Sequence, residues 1–565
     1  MSTSSAPPTS QDEKTPKPQV HEGTILTGRR LAVVFFAMML GILLLALDQT
    51  ILATALPHIA SEFDSFTLQG WVATSFVLAQ TIFLPFWGQL LRIFSAKWAL
   101  LFCIAVFELG SLICGVSRNI DMLIAGRIIS GVGAAGIYVS NQQVITQATR
   151  LEDRPRLFSW FGVVFAVSTV IGPLIGGAFT DNVSWRWCFF VNLPVGGVTV
   201  ITVFFLLKAT PPMGADLSKR SRRDILEQFL RVDFIGAILV AGAVTCLILA
   251  LQWGGNTKAW SDKAVIITFV FAGVLSIVFV LWEIRLQDRA MIPTAIFKSS
   301  ETYAIVTYAF LTRFSNLLFS YYIPIFYQAA RGKSPINSGI LLLPFMISVV
   351  VTVIIVGQLV SRLGYYWHPL ACGPFFLGTG SGLLFTITPS TSPSKLIGYQ
   401  ILAGVGTGMG MQNTVIAMQT EFRSMPALIA QASAVNTFAQ YLGGSIGLGI
   451  AEPVFASALG SFLAKYAPEA PADVVKEDPT SIWAAGVLPP DQVSGVVRSY
   501  TEALREVFLI GVPVAGVALI AAMFIKNVKI VRRKGHGAVE NTKQREEEEK
   551  QKQEETKPQE RIEEV

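Results

Sequence analysis

Charge is scarce in this chain. Asp, Glu, Lys and Arg make up 15% of its 565 residues while 52% are hydrophobic, and the mean hydropathy is +0.53. Soluble domains carry about a quarter charged residues, so a water-facing globule is excluded. Sulfur and imidazole are thin as well. The five cysteines (Cys103, Cys114, Cys188, Cys246 and Cys372) lie in or beside apolar runs with no CxxC, and the four histidines sit in tails or at helix ends. That scatter implies neither a disulfide framework nor a metal-ligand set, and no cofactor is expected. The basic excess, 44 Lys and Arg against 38 Asp and Glu, is too small to indicate nucleic acid. HExxH and GxxxxGK(S/T) are missing, and the single GxSxG match, at 443–447, falls inside an apolar run and not at a strand-to-helix turn, which argues against a membrane enzyme and against an ATP-driven pump.

Long apolar runs are what the chain has instead. The first, residues 31–47 (LAVVFFAMMLGILLLAL), meets no charge until Asp48. At about 1.5 Å per residue, roughly 20 apolar residues cross a hydrocarbon core of about 30 Å. Backbone amides in lipid find no water to bond, so such runs must be helices. Fourteen spans are expected, at 31–53, 69–91, 98–116, 122–145, 157–179, 187–207, 234–252, 264–284, 303–327, 336–359, 367–388, 397–419, 432–456 and 506–526. The expected fold class is therefore an all-α polytopic membrane protein, with the lipid bilayer as its first partner.

The pieces follow from those spans: a polar tail 1–30, six helices in 31–207, a loop 208–233, two additional helices in 234–284, six more helices in 285–526 with a long outer loop 457–505, and a charged tail 527–565. The polar start is not a cleavable leader. With both termini placed inside, the short inner loops hold sixteen Lys and Arg and the short outer loops seven, so both termini are expected in the cytosol. Asn182-Val183-Ser184 forms a glycosylation sequon in an outer loop, close to the membrane.

The chain also repeats itself. GQL at 88–90 recurs at 357–359, GVG at 131–133 recurs at 404–406, and Gly172 and Gly176 align with Gly443 and Gly447, shifts of 269, 273 and 271 residues. Duplicated helical halves are a transporter architecture, with a substrate site between the halves near mid-membrane.

Ionisable side chains within spans are costly and tend to mark a pathway or a partner. Asp48 and Arg127 both fall in the outer third of the membrane, on antiparallel helices, and are placed to pair. They read either as a proton-coupling site or as a static buried ion pair. Glu108 and Arg313 lie mid-membrane in opposite halves, Glu108 as a second proton site and Arg313 to meet an anionic substrate or a carboxylate. Local hydrogen bonding is the alternative for both. Gln80, Asn316, Gln412, Asn413 and Gln440 add polar groups suited to a bulky, mostly apolar ligand. Gly172, Pro173, Gly176 and Gly177 in VIGPLIGG favour close helix packing with a permitted kink.

Several stretches carry a resemblance: LDQTILATALPHIASEF (47–63), LIAGRIISGVGAAG (123–136) and above all VIGPLIGGAFTDNVSWRWCFFVNLPVG (170–196). Over residues 31–530 the chain resembles the major facilitator superfamily, in particular its 14-span drug:proton antiporters, and most of all fungal toxin and multidrug efflux pumps. The resemblance implies two six-helix bundles plus two extra helices, exporting an amphipathic drug, toxin or secondary metabolite in exchange for protons by alternating access. It implies proton coupling at Asp48 and Arg127 and an antiporter motif at Gly172, Pro173, Gly176 and Gly177. It further implies a non-enzymatic monomer with only its small-molecule substrate and protons as partners, in the plasma membrane or alternatively the vacuolar membrane. A carrier of siderophores or basic amino acids, or a non-transporting membrane sensor, stands as the alternative. One departure is plain. The family's loop G-x-L-a-D-r-x-G-R-K reads here GQLLRIFSAK, so an inner gate of Gly88, Lys97 and Arg362 has Arg92 where the acid belongs, with Glu152 or Asp153 as candidate substitutes.

Overall fold

A computed structural model of the chain describes residues 25–63, 68–215, 221–255, 258–471, 475, 481–483 and 488–530. The expected tails 1–30 and 527–565 fall mostly outside the described residues, as do Lys219, Arg220 and most of 472–487.

The first half holds α1 (Gly28–Glu62), α2 (Gln69–Leu90), α3 (Ala96–Gly115), α4 (Ile120–Ala148), α5 (Arg154–Asn182), and a rod broken at Val191 into α6 (Trp187–Phe190) and α7 (Asn192–Leu206). A short α8 (Arg222–Leu230) leads into the extra pair, α9 (Phe234–Trp253) and α10 (Lys263–Leu286). The second half holds α11 (Ser300–Arg331), α12 (Pro335–Leu341), α13 (Leu343–Leu363), α14 (Trp367–Phe385), α15 (Pro393–Met411), α16 (Asn413–Glu421), α17 (Ile429–Tyr466) and α18 (Pro490–Met523). Polar side chains start several helices by accepting a free first-turn amide: Asn119 takes Met122 N–H at 2.8 Å and Asp233 takes Gly236 N–H at 2.7 Å. Gly332 and Gly364, at φ 59° and 79°, end α11 and α13 in the left-handed region.

Eleven helices among the described residues are long and apolar enough to cross a membrane. The expected spans in α11, α14 and α15–α16 are not among them. The reason is compositional: α11 carries Glu301, Arg313 and Arg331, and the other two are rich in Gly and polar residues. The extra pair presents Ile238, Val270, Ile277 and Leu281 outward, as a lipid-facing surface requires. The long loop expected at 457–505 is shorter than its sequence suggested, because α17 continues to Tyr466 and α18 starts at Pro490.

The internal repeat has a physical counterpart in helix packing. A Cβ on Gly133 of α4 would lie 2.5 Å from Phe107 N and 2.7 Å from Cys103 O on α3; on Gly406 of α15 it would lie 2.3 Å from Leu377 N and 2.7 Å from Gly373 O on α14. Both halves use the same backbone-to-backbone approach, which no larger residue permits.

The start of α1 and the end of α18 share one end of the bundle, here the terminal face. Leu26 N–H bonds Ala148 O at 2.9 Å and Ile530 N–H bonds Gly364 O at 2.8 Å. At that face the halves close on each other. A Cβ on Gly88 would stand 2.5 Å from Ala434 Cβ, and one on Gly357 would stand 2.6 Å from Pro155 O, so α2 meets α17 as α13 meets α5.

Candidate functional site

Asp48 and Arg127 do pair. Arg127 Nη1 donates to Asp48 Oδ2 at 2.6 Å, and each side chain is 1% exposed. The guanidinium also bonds Val72 O through Nε at 3.1 Å and lies 4.2 Å from the Phe76 ring centre. Asn192, at the start of α7, bridges Asp48 Oδ1 (3.2 Å) to Ser111 Oγ (3.3 Å). Asn192 was not singled out from the sequence, although it stands inside the long VNLPVG motif. One turn along α3 from Ser111, Glu108 fills the space left by Gly196 of α7, and both its carboxylate oxygens are buried without a hydrogen-bond partner among the described residues. Packing of α1, α3, α4 and α7 thus gathers two carboxylates and one arginine within the first half.

A polar chain beside this cluster reaches the second half. Gln49, beside Asp48, donates to Gln80 Oε1 at 3.1 Å, and Gln80 donates to the Tyr441 hydroxyl of α17 at 3.3 Å. Arg313 of α11 lies 5.4 Å from the Tyr441 ring centre, and Tyr138 of α4 meets the same ring edge-on at 6.2 Å. Neither tyrosine was selected from the sequence; an aromatic in an apolar span gives no local sign that it faces a partner helix.

The other expected pathway residues divide. Asn316 accepts from Arg313 at 3.4 Å, and Gln412 occupies the break between α15 and α16. Asn413 donates to Met409 O at 2.6 Å, and Gln440 to Met411 O and Thr414 Oγ1, both at 3.1 Å. Those two are occupied within the second half. A groove of about 490 Å³ lined by Leu251, Trp260, Gly449, Pro453 and Glu506 opens elsewhere, away from all of these polar groups.

Toward the terminal face the interface is a buried polar seam. Gln142 donates to Thr437 at 3.4 Å, Gln419 to Thr146 at 3.0 Å, and Arg154 to Gln419 at 3.1 Å and Thr146 O at 2.7 Å. Among the described residues, the hydrogen bonds shown between the two halves lie at the Gln80–Tyr441 level or closer to this face.

The residues of the expected inner gate fall in different places. Gly88 is at the contact, but Lys97 donates to Phe204 O at 2.6 Å and rests over Trp98 and Phe204, inside the first half. Arg362 is exposed, and its neighbour Ser361 makes the crossing bond, to Glu152 O at 2.7 Å. Neither Glu152 nor Asp153 compensates Arg92. Arg92 Nη1 instead reaches Gln431 Oε1 at 3.0 Å and Asp288 O at 3.2 Å, while Gln431 donates to Met291 O at 3.2 Å and Gln89 to Arg289 O at 2.8 Å. The segment after the extra helices therefore lies across both halves as a strap.

Gly172 and Gly176 pack on α1, where a Cβ would fall 2.1 Å from Thr50 Oγ1 and 2.3 Å from Ile51 O; Gly177 has nothing within 4 Å. Pro173 sits inside an unbroken α5. Asn182 is exposed at the far end of α5, its amide donating to Ala178 O at 2.9 Å.

Comparison with known proteins agrees with this architecture. The Major Facilitator Superfamily family model matches residues 38–448. An MFS-type transporter, astH, of Aspergillus oryzae is 36% identical over 508 residues, covering 89% of this chain and 88% of that protein. An aspyridones efflux protein of Neocamarosporium betae is 34% identical, covering 90% and 89%, and an MFS-type efflux pump, MFS1, of Arthroderma benhamiae is 35% identical, covering 88% and 91%. Among solved structures, the human organic anion transporter MFSD10 superposes with a TM-score of 0.52 at 13% identity, covering 88% of this chain and 99% of that one, a likeness of fold alone. With a family model spanning most of its length and relatives matched almost end to end, the chain belongs to the Major Facilitator Superfamily.

Proposed function

We propose that the chain is a proton-driven exporter of an amphipathic organic molecule (a secondary metabolite, toxin or drug) working by alternating access. The observation that carries this reading is the Asp48–Arg127 pair at 2.6 Å, fully buried, with the next residue, Gln49, hydrogen-bonded to Gln80 and Gln80 to Tyr441 of the other half. The two charges compensate each other in the low-dielectric interior, so a proton carried in as the pair parts and given up as it re-forms is the coupling step of this reading. Glu108 stands next to this exchange as a second acceptor. Two of the fungal relatives are named for efflux, one of them for aspyridones, which supports export as the direction and a small organic molecule as the cargo.

The excess of basic residues near one end supports a cytosolic terminal face. On that reading the structure is the state closed to the cytosol, with Gly88, Gly357, the Gln–Thr seam and the strap as its gate. A plasma-membrane location fits export to the medium. The test is uptake of a fluorescent amphiphile into inverted vesicles under an imposed proton gradient. Asp48→Asn is expected to abolish gradient-driven accumulation while the purified protein stays folded; undiminished accumulation in that variant would overturn the proposal.

A further inference from the structure

The structure assigns Arg313 the role of binding an anionic group on the cargo, which is therefore an organic acid with a flat apolar body. This deepens the efflux reading and rests on it. The arginines inside the bundle are unequal. Arg127 has a carboxylate and a carbonyl, and Arg154 has Gln419 Oε1 and Thr146 O. Arg313 has no ion pair among the described residues; one long bond to Asn316 at 3.4 Å is all that engages its donors, and the side chain is partly exposed. A guanidinium carries five N–H donors and stays charged at every physiological pH. Held mid-membrane without a counter-charge it is costly, and arrival of an anion removes that cost.

The surroundings select the anion's shape. Tyr441 offers a ring face 5.4 Å from the guanidinium, Tyr138 stands edge-on beyond it, and Gln80 supplies a neutral amide. Gln412 approaches from the helix break beside Tyr138. Among the described residues no carboxylate shares this cluster. Glu452 is eight residues along α17 from Gly444, the glycine that touches Arg313, hence about 12 Å further up the helix. Asp48 is already taken by Arg127, and Glu108 lies between α3 and α7. A cation flanked by rings and amides accepts a planar carboxylate or enolate in bidentate fashion and rejects an organic cation.

The test uses the full-length protein in nanodiscs and two probes of one shape, 1-pyrenebutyric acid and 1-pyrenebutanamide, read by tryptophan-to-pyrene energy transfer. The acid is expected to bind at least about ten-fold more tightly than the amide. Arg313→Gln should bring the two within about two-fold by weakening the acid alone, and Arg313→Lys should fall between, a charge without the planar fork. Unchanged amide binding shows that the variant is folded. Equal affinities in the wild type, no acid binding, or a preference that survives Arg313→Gln would each overturn the inference. Should Arg313→Gln fail to fold, the wild-type comparison decides alone. Proton-driven accumulation is read separately, so equal affinities in the wild type with accumulation intact sink this assignment and spare the efflux reading.

Discussion

Asn192 and Glu108 show how much one side chain decides in a low-dielectric interior. Asn192 supplies Asp48 Oδ1 with its hydrogen bond, and Asn192→Ala leaves that oxygen buried without it. The expected cost is about 1–3 kcal/mol, read as a lowered melting temperature, with a shifted pH profile of transport. An unmoved profile would restrict Asn192 to packing. Glu108 behaves oppositely. Its carboxylate oxygens lack partners, so Glu108→Gln is expected to keep or raise the melting temperature while proton-driven uptake falls. A fall of several degrees with uptake intact would make Glu108 structural. The sequence exposed the ionisable residues here because charge inside an apolar span is conspicuous in one dimension. It hid Asn192, Gln49, Tyr138 and Tyr441, whose importance comes from what the folded chain places opposite them.

Helical elements were legible wherever apolar runs were long. They were less so where helices earn burial from neighbours, as in α11, whose Glu301 and Arg313 dilute its hydropathy while Tyr308, Phe314 and Phe319 are buried. The strap was invisible, since residues 287–292 read as an ordinary polar connection between spans. Arg92 and Gln431 make it testable. In a cysteine-free background, Ala434→Cys should be shielded from thiol reagents by the Gly88 contact and become reactive when Arg92→Ala is added; equal labelling in both would detach the strap from the gate. The far face has its own clasp, formed by Glu62 at the end of α1 with Arg186 at 2.9 Å and the Trp185 indole. Burial pushes the Glu62 carboxyl up, but the Trp185 and Arg186 hydrogen bonds and the Arg186 charge outweigh it and hold the carboxyl below its ordinary 4.5. A lowered folded value means that this stabilisation is present above pH 4.5 and is lost as pH falls through the folded value. Trp185 emission, taken by difference from Trp185→Phe, should change on acidification, and Glu62→Gln should abolish that change.

At the scale of the molecule, the repeat turns one gate into two equivalent contacts, α2 on α17 and α5 on α13, which must part together if the halves rock as rigid bodies. A Cβ on Gly162 of α5 would lie 3.8 Å from Val353 Cβ on α13. That separation matches the usual Cβ–Cβ distance of a disulfide, about 3.8 Å. In a cysteine-free background, Gly162→Cys with Val353→Cys should therefore cross-link on oxidation without backbone movement. Transport is expected to stop when the bond forms and to return on reduction, while each single variant works in both conditions. The cross-link touches neither Asp48 nor Arg313, so the loss would report immobilised halves and not a damaged site. Full transport by the oxidised double variant would mean that the cargo passes without the terminal seam opening, and alternating access would have to be abandoned for this chain.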